Sequence, residues 1–447
     1  MALNARIHLA DGTGASTGYY PYQSYGENWS MMGGVIRSSW LYTFGVFGFV
    51  FFGLAVSGIP GWSRLVFAFS GLLALLTFTD LTLNKVRLGR WLLFPSAFLL
   101  IAIVGGVARY PASQEAVVRL LGTWSGVLLV VDAVRRGVPI KIIINAMFWA
   151  SFANAAAVAM GFDAGLAYGD NTNQDAYYVR IIERQSGLVG NANLMAVQAF
   201  LPLFATIIWR SEISRLMIAA GGLCAIYAFF ITGSRTSIVL VFFLVSALCF
   251  RYSHGHRWVL LGAVAVLFFG LLSLVWEMMP STELGVMARQ VVAIDRLFEG
   301  IEGTDSSLIV RMNMIEVAKR MFFENPVIGH GLGYFADAGG FGVYAHNNYL
   351  ELLVSGGALL FAIYYFMYFF VLIRCMLGEI KGNGVRAACV TVFALLAVDY
   401  TLVSYDQKSI ALMIALLFMT ASNRSIGTAA FPEERKYVSH EINEGLT

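Results

Sequence analysis

Charged residues are scarce in this chain of 447 residues. Only 13% of the residues are Asp, Glu, Lys or Arg, whereas 58% are hydrophobic and the mean hydropathy is +0.70. Soluble domains contain about 25% charged residues, so this chain has too little polar surface to remain in water as a globule. The composition therefore excludes a soluble or disordered protein and predicts a membrane protein. A net charge of +3 does not indicate nucleic-acid binding.

Cysteine and metal-binding motifs are also rare. The four cysteines, Cys224, Cys249, Cys375 and Cys389, fall in apolar segments or at their predicted cytoplasmic ends, so no disulfide is expected in the outer loops. The sequence has no Asp-x-Asp, His-x-x-x-His or Cys-x-x-Cys pattern. We therefore expect no metal site and no cofactor, and a reaction that does not depend on a metal.

Long apolar runs are abundant instead. Runs of roughly 17–25 residues, the length that crosses a bilayer as a helix, occur at twelve places. The predicted spans are 39–59, 64–83, 91–109, 116–134, 141–162, 188–209, 216–233, 236–252, 258–278, 355–377, 387–404 and 408–422. The predicted fold is an all-α membrane protein with about twelve transmembrane helices and one long helical periplasmic loop between helices 9 and 10.

Lys and Arg are distributed unevenly between alternate connections. Five short loops hold thirteen of them, whereas five of the six remaining connections, with the long loop 279–346 left aside, hold seven, so the first set is assigned to the cytoplasm. This orientation predicts a cytoplasmic N-terminal tail at 1–38, a membrane domain at 39–423 and a cytoplasmic C-terminal tail at 424–447. The connection 163–187 and the long loop 279–346 then lie outside.

Histidine is nearly absent from the predicted outer face. The topology assigns four of the six histidines to the cytoplasm and leaves only His330 and His346 outside. His346 begins an amphipathic run that returns to the membrane, so its imidazole is expected at the level of a lipid head group. A neutral imidazole accepts a proton from a hydroxyl near pH 7. A structural role, in which His346 caps a helix or bonds a loop carbonyl, is an open alternative.

Three of the arginines that this topology places outside, against the charge bias, form a second group of candidates. Arg184 precedes the sixth span, Arg235 lies between spans seven and eight, and Arg311 lies in the long loop. A guanidinium stays charged and pairs bidentately with phosphate oxygens, so these residues suit an anionic lipid diphosphate. Snorkelling towards head groups is the alternative for each arginine taken singly.

The part of the long loop around Arg311 has helical periodicity. Residues 308–324 place Ile309, Met312, Ile315 and Phe322 near one face, which predicts a helix lying at the membrane interface. Asn325-Pro326 is expected to end it.

Four short motifs occur in order between residues 184 and 357. They are R-x-x-G-x-x-G-N-x-N from Arg184, T-G-S-R-T from Thr232, Arg311 and Ala318 followed by Pro326 and three glycines, and His346-Asn347 followed by Leu350-Glu351 and Gly357. In this order, and on the outer face of a twelve-span frame, they resemble the motifs of the O-antigen ligase/O-antigen polymerase superfamily. Its members are polytopic bacterial membrane enzymes that move glycans linked to polyprenyl diphosphate.

The resemblance implies a site as well as a fold. In ligases of this family an outer-face His and two Arg act on the lipid-diphosphate donor, which implies His346, Arg184 and Arg311 as catalytic residues. The predicted substrate-binding residues are Arg235, Asn347, Asn193 and Arg180. The implied reaction transfers a glycan from undecaprenyl diphosphate to an acceptor hydroxyl, such as one of lipid A-core, with inversion. The implied location is the bacterial inner membrane, with the site on the periplasmic face.

Two other functions remain open. A polymerase would transfer the growing glycan chain to a new lipid-linked repeat unit and would work with a chain-length regulator. It stays open because a longer signature of the family's ligases ends in Gly, Thr or Tyr, and that position is Leu360 here. A flippase or transporter of the lipid-linked sugar would need ionisable groups deep in the spans, where Asp399 is the main carboxylate.

Overall fold

The computed structural model describes residues 36–83, 89–109, 114–164, 185–209, 213–252, 306–377 and 383–422. These residues form α-helices, short 3-10 turns and connecting segments, with no β-strand among them. The chain divides into a unit of Met1–Leu41 and a unit of Tyr42–Thr447. The described part of the first unit is only the beginning of a helix, and all contacts given below lie within the second.

Thirteen α-helices lie in the described stretches. They are α1 (Ile36–Ala55), α2 (Ser63–Leu83), α3 (Leu93–Arg109), α4 (Gln114–Arg135), α5 (Ile140–Ala159), α6 (Ala192–Trp209), α7 (Arg215–Thr232), α8 (Arg235–Tyr252), α9 (Ser306–Glu324), α10 (Tyr334–Ala338), α11 (Asn348–Met376), α12 (Asn383–Asp399) and α13 (Lys408–Ser422).

The all-α prediction is confirmed for this part of the chain. Eleven of the twelve predicted spans coincide with helices, and the run 258–278 lies outside the described residues. By length and composition, α2, α4, α5, α6, α7 and α11 can each cross a membrane. The total of twelve spans, their direction and the periplasmic loop stay predictions. Nearly all of the two predicted tails lies outside the described residues.

Burial separates central from peripheral helices. Every residue of α13 from Ser409 to Ala421 is buried, and α13 packs on α4 and α11. Helix α6 is likewise buried on nearly all sides between α5, α7 and α8. A helix that is apolar all round is stable when it is enclosed by other elements, which explains why the short run 408–422 forms a central helix.

Helix α9 confirms the helix predicted over 308–324, and the structure adds a second, buried face that was not predicted. Ile309 and Met312 are 53% and 52% exposed, whereas Met314 and Ala318 are 4% and 0% exposed. Val310, Val317 and Met321 pack on the same cluster as Met314 and Ala318. This second face meets other protein, including Phe335 of α10 and Val354 of α11. Whether Ile309 and Met312 face lipid stays a prediction.

Helix α11 is interrupted where the segment after α9 meets it. Gly357 has φ 63° and ψ −166°, which is not helical. Four backbone hydrogen bonds join the interruption to residues 326–331: Ala358 and Leu359 donate to Pro326 and Val327 at 2.8 and 3.2 Å, and His330 and Gly331 donate to Val354 and Ser355 at 2.8 Å each. Irregular backbone inside a membrane protein needs such protein partners, because lipid offers none.

Candidate active site

A cavity of about 180 Å³ lies where several helix ends meet. Its lining includes Asn193 at the start of α6, Arg235 at the start of α8, and Arg311 on α9. His346 and Asn347, directly before α11, complete the predicted residues in this lining. Five predicted residues from four separate parts of the sequence are therefore brought together. Arg184 and Arg180 lie outside the described residues.

The turn between α7 and α8 places Arg235 at the cavity. Gly233 ends α7 in the left-handed conformation with φ 55°, so that α8 can begin two residues later. The hydroxyl of Ser234, which is fully buried, donates to Oδ1 of Asn193 at 2.8 Å. This bond joins α6 to the first turn of α8 and sets Arg235 beside Asn193. Asn193 thus has a structural bond and a position in the cavity wall.

The segment before α6 is held by two buried side chains of the α5 region. Asp163 accepts hydrogen bonds from the backbone N of Ser186, from its hydroxyl at 2.7 Å, and from the backbone N of Gly187 at 3.2 Å. Asn154 accepts from the backbone N of Leu188 at 3.0 Å. The backbone N of Gln185 donates to the carbonyl of Ile231, near the end of α7, at 3.1 Å. Gln185 therefore lies near the C-terminal end of α7, close to the start of α8 where Arg235 lies.

Asn347 fixes the start of α11 beside His346. Its side-chain Oδ1 accepts from the backbone N of Leu350 at 3.1 Å, which is an N-cap bond, and its Nδ2 donates to the carbonyl of Tyr400 at 3.4 Å. His346 has φ 50°, and it is the one residue other than glycine with positive φ in the part that the structure describes. Asn347, and not His346, is therefore the residue that caps α11, and His346 lines the cavity.

The ring of Tyr344 packs against His346, with the ring centroids 4.6 Å apart and the planes at 57°. Burial raises the pKa of Tyr344 to about 12; the carboxyl of Asp406 adds to this rise, and Arg311 opposes it. The phenol is therefore protonated at neutral pH and cannot act as a base there. Its OH accepts from Nδ2 of Asn191 at 3.4 Å. Of these two aromatic residues, only His346 has a basic nitrogen suited to accept a proton near pH 7.

The segment between α12 and α13 forms the remaining wall. Tyr400 and Thr401 line the cavity, and the Thr401 hydroxyl lies 3.1 Å from that of Thr236. Trp124 of α4 holds this segment through a 2.7 Å bond from Nε1 to the carbonyl of Tyr405. The sequence analysis missed Tyr400 and Thr401. Their local sequence carries no signal beyond the polar end of an apolar run.

His330, the other histidine of the predicted outer face, has structural contacts. Its Nε2 lies 2.8 Å from the carbonyl oxygen of Met321 near the end of α9, and its ring stacks on Tyr334 with centroids 4.5 Å apart. His330 does not line the cavity that contains His346.

The fold and the cavity together indicate a class of protein. Several long apolar helices indicate a multi-pass membrane protein, and its cavity gathers a histidine and two arginines at helix ends.

The O-Antigen ligase family model matches residues 220–365. This interval runs from α7 into α11 and contains Arg235, Arg311, His346 and Asn347. The resemblance to the O-antigen ligase/O-antigen polymerase superfamily is thereby confirmed. No curated protein matches the chain significantly.

Proposed function

We propose that the protein is a membrane glycosyltransferase of the O-antigen ligase type. It moves a glycan from polyprenyl (undecaprenyl) diphosphate to an acceptor hydroxyl, such as one of lipid A-core. One observation carries this proposal: His346, Arg235 and Arg311 line the same cavity. A proton acceptor and two permanent cations in one partly buried space suit a reaction in which a hydroxyl loses its proton while a diphosphate departs.

The proposed step is a single displacement. The acceptor oxygen attacks the anomeric carbon and forms the new C–O bond, while the bond from that carbon to the diphosphate oxygen breaks. The electron pair of the broken bond leaves with the diphosphate, and the hydroxyl proton passes to His346. Because one nucleophile displaces one leaving group, the anomeric configuration inverts. The energy for the new bond is already stored in the donor.

Arg235 and Arg311 are proposed to bind the diphosphate and to stabilise the charge that develops on it. Both are partly buried, so their charge is less screened than that of an arginine in water. We assign Arg184 and Arg180 to the same donor, with Arg184 taking part in catalysis. Support for Arg184 comes from the next residue, Gln185, whose backbone bonds to the end of α7. Asn193 and Asn347 are assigned to substrate binding as part of the cavity wall.

The cavity is proposed to face the periplasm from the inner membrane, with both termini in the cytoplasm. Helix α8 supports this orientation, because Arg235 is its first residue and Arg251 lies at its opposite end. An 18-residue helix is about 27 Å long, close to the thickness of the bilayer core. Arg251 belongs to the cation-rich set that the charge bias assigns to the cytoplasm.

The test compares the two histidines. Purified protein in liposomes is given a polyprenyl-diphosphate-linked glycan and an acceptor, and transfer is measured for His346→Ala and His330→Ala. We expect His346→Ala to lower the rate by about 10²–10⁴-fold without loss of folded protein, because a general base is removed. His330→Ala should lower the melting temperature and leave the folded fraction active. A fully active His346→Ala variant would refute the proposed chemistry and favour a flippase.

The polymerase is the second candidate, because it uses the same donor chemistry and the family match does not separate the two. Disruption of the gene distinguishes them by the product that accumulates. Unmodified lipid A-core together with long lipid-linked polymer indicates a ligase. Lipid A-core that carries a single repeat indicates a polymerase.

A further inference from the structure

His346 has a backbone conformation that its residue type disfavours. Its φ of 50° brings the side-chain Cβ close to its own backbone carbonyl, and residues other than glycine adopt this conformation when neighbouring contacts impose it. Such strain clusters at functional sites, where it aims a side chain. The contacts that impose it here come from both neighbours of His346.

On the C-terminal side the constraint is the cap already described. Asn347, which is 5% exposed, bonds to Leu350 and to Tyr400. On the N-terminal side the backbone N of Ala345 donates to Oε2 of Glu351 at 2.9 Å. Glu351 is 2% exposed and Ala345 is 1% exposed, so water does not compete for this bond. The residues before and after His346 are thus both held by side chains at the start of α11.

We propose that Glu351 is a positioning residue for His346: its carboxyl oxygen holds the backbone N–H of Ala345 and thereby keeps His346 left-handed, with the imidazole at the cavity. This proposal rests on the proposed function of His346. Glu351 does not line the cavity, so it acts on the chemistry only through the histidine.

The proposal makes a specific demand on the side chain at position 351. It needs a hydrogen-bond acceptor at the end of a glutamate-length chain, and it does not need a negative charge. Gln supplies the acceptor at the same length. Asp keeps the charge but is one methylene shorter, and Leu keeps the volume but lacks the acceptor. A proton-relay role would instead require the carboxyl group, and Gln would abolish it.

The experiment measures kcat and the KM for the lipid-linked donor in Glu351→Gln, Glu351→Asp and Glu351→Leu. We expect Gln to remain within about threefold of wild type, with an unchanged pH profile. We expect Leu and Asp to lower kcat by about 100-fold, the cost of displacing a catalytic group by roughly 1 Å, with little change in KM. Glu316→Leu, at an exposed position of α9, is the matched control and should be unaffected.

Two results would overturn the proposal. One is wild-type kcat in Glu351→Leu; the other is equal loss in the Gln and Leu variants, which would make Glu351 a proton carrier. If the Leu variant does not fold, the Gln and Asp pair decides. Gln keeps the side-chain length without the charge and Asp keeps the charge on a shorter side chain, so an active Gln variant beside an impaired Asp variant supports the positioning role, and the reverse overturns it. If His346→Ala is inactive and Glu351→Leu is active, only the positioning role of Glu351 is refuted. An active His346→Ala protein refutes the proposed function.

Discussion

Gly329 and Gly357 lie backbone against backbone at the interruption of α11. Both have positive φ, 62° and 63°, and a Cβ on Gly329 would lie 2.6 Å from the backbone N of Gly357. A Cβ on Gly357 would lie 2.3 Å from the carbonyl carbon of Val327. No side chain fits between these two backbones, so the hydrogen bonds that join residues 326–331 to α11 require glycine at both positions.

The loss of stability from placing a Cβ in this close contact can be measured separately from the loss caused by a left-handed backbone. Gly340 also has positive φ, 81°, but a Cβ there would meet nothing within 4 Å. Gly340→Ala should therefore cost about 1–2 kcal/mol of strain. Gly329→Ala should cost about 1–3 kcal/mol more, because backbone must move. Melting temperatures in detergent measure both, and an equal loss would contradict the close approach.

Lysine replacement tests whether the cavity arginines bind phosphate oxygens as a fork. Arg235→Lys and Arg311→Lys keep the charge and lose the second parallel hydrogen bond. A charge-assisted hydrogen bond contributes about 1.5–3 kcal/mol, so we expect kcat/KM for the donor to fall about 10–100-fold in each variant. Arg320→Lys, at an exposed position of α9, is the control and should match wild type. Unchanged kcat/KM in both cavity variants would indicate snorkelling.

Tyr344→Phe tests whether the phenol takes part in proton transfer. The raised pKa of Tyr344, about 12, keeps its hydroxyl protonated across the range in which the enzyme is assayed. We therefore expect transfer by the variant to stay within about threefold of wild type from about pH 6 to 9, since the phenol ordinarily ionises near 10. A pH–rate profile of the two proteins is the measurement. If the change in rate at alkaline pH that wild type shows is absent from the variant, Tyr344 is the group that transfers the proton.

Asn348 ties the cavity wall to α11, and its loss should be costly. Its Oδ1 accepts from the backbone N of Ser404 and Tyr405 at 2.9 and 3.0 Å, and its Nδ2 donates to the Tyr365 hydroxyl at 2.9 Å. Each buried group left without its bond costs about 1–3 kcal/mol, so Asn348→Leu should lower the unfolding free energy by about 3 kcal/mol or more. Asn313→Leu, on the exposed side of α9, should stay within about 0.5 kcal/mol of wild type. Similar stabilities for the two variants would contradict this anchoring role.

The helices were predictable because long apolar runs have one stable form in a bilayer. The ends of the helices were less predictable. The span predicted to begin at residue 355 belongs to a helix that begins at Asn348, because Asn347 caps this helix and Asn348 forms a hydrogen bond inside the protein. The face of α9 that is buried against protein was not predictable, for a related reason. Periodicity shows that a helix has faces, but whether protein or lipid covers Met314 depends on α10 and α11, which no local pattern reveals.

The candidate site was predictable in its charged members and not in its walls. Arg235, Arg311 and His346 were predictable because they carry phosphate-binding or proton-accepting groups and lie in recognisable motifs of the predicted outer face. Tyr400 and Thr401 carry no such chemistry, and they reach the cavity only through the packing of the segment between α12 and α13. The left-handed backbone of His346 was equally hidden, since a histidine in the sequence does not indicate a positive φ.

The pairing of residues 326–331 with the interruption of α11 bears on how a substrate enters. Four main-chain bonds connect the C-terminal end of α9 to the element that begins beside His346. These bonds therefore hold the C-terminal end of α9, the helix that carries Arg311, against the helix that begins beside His346. Under the proposed function, donor and acceptor therefore meet a histidine and an arginine whose relative positions the fold already sets.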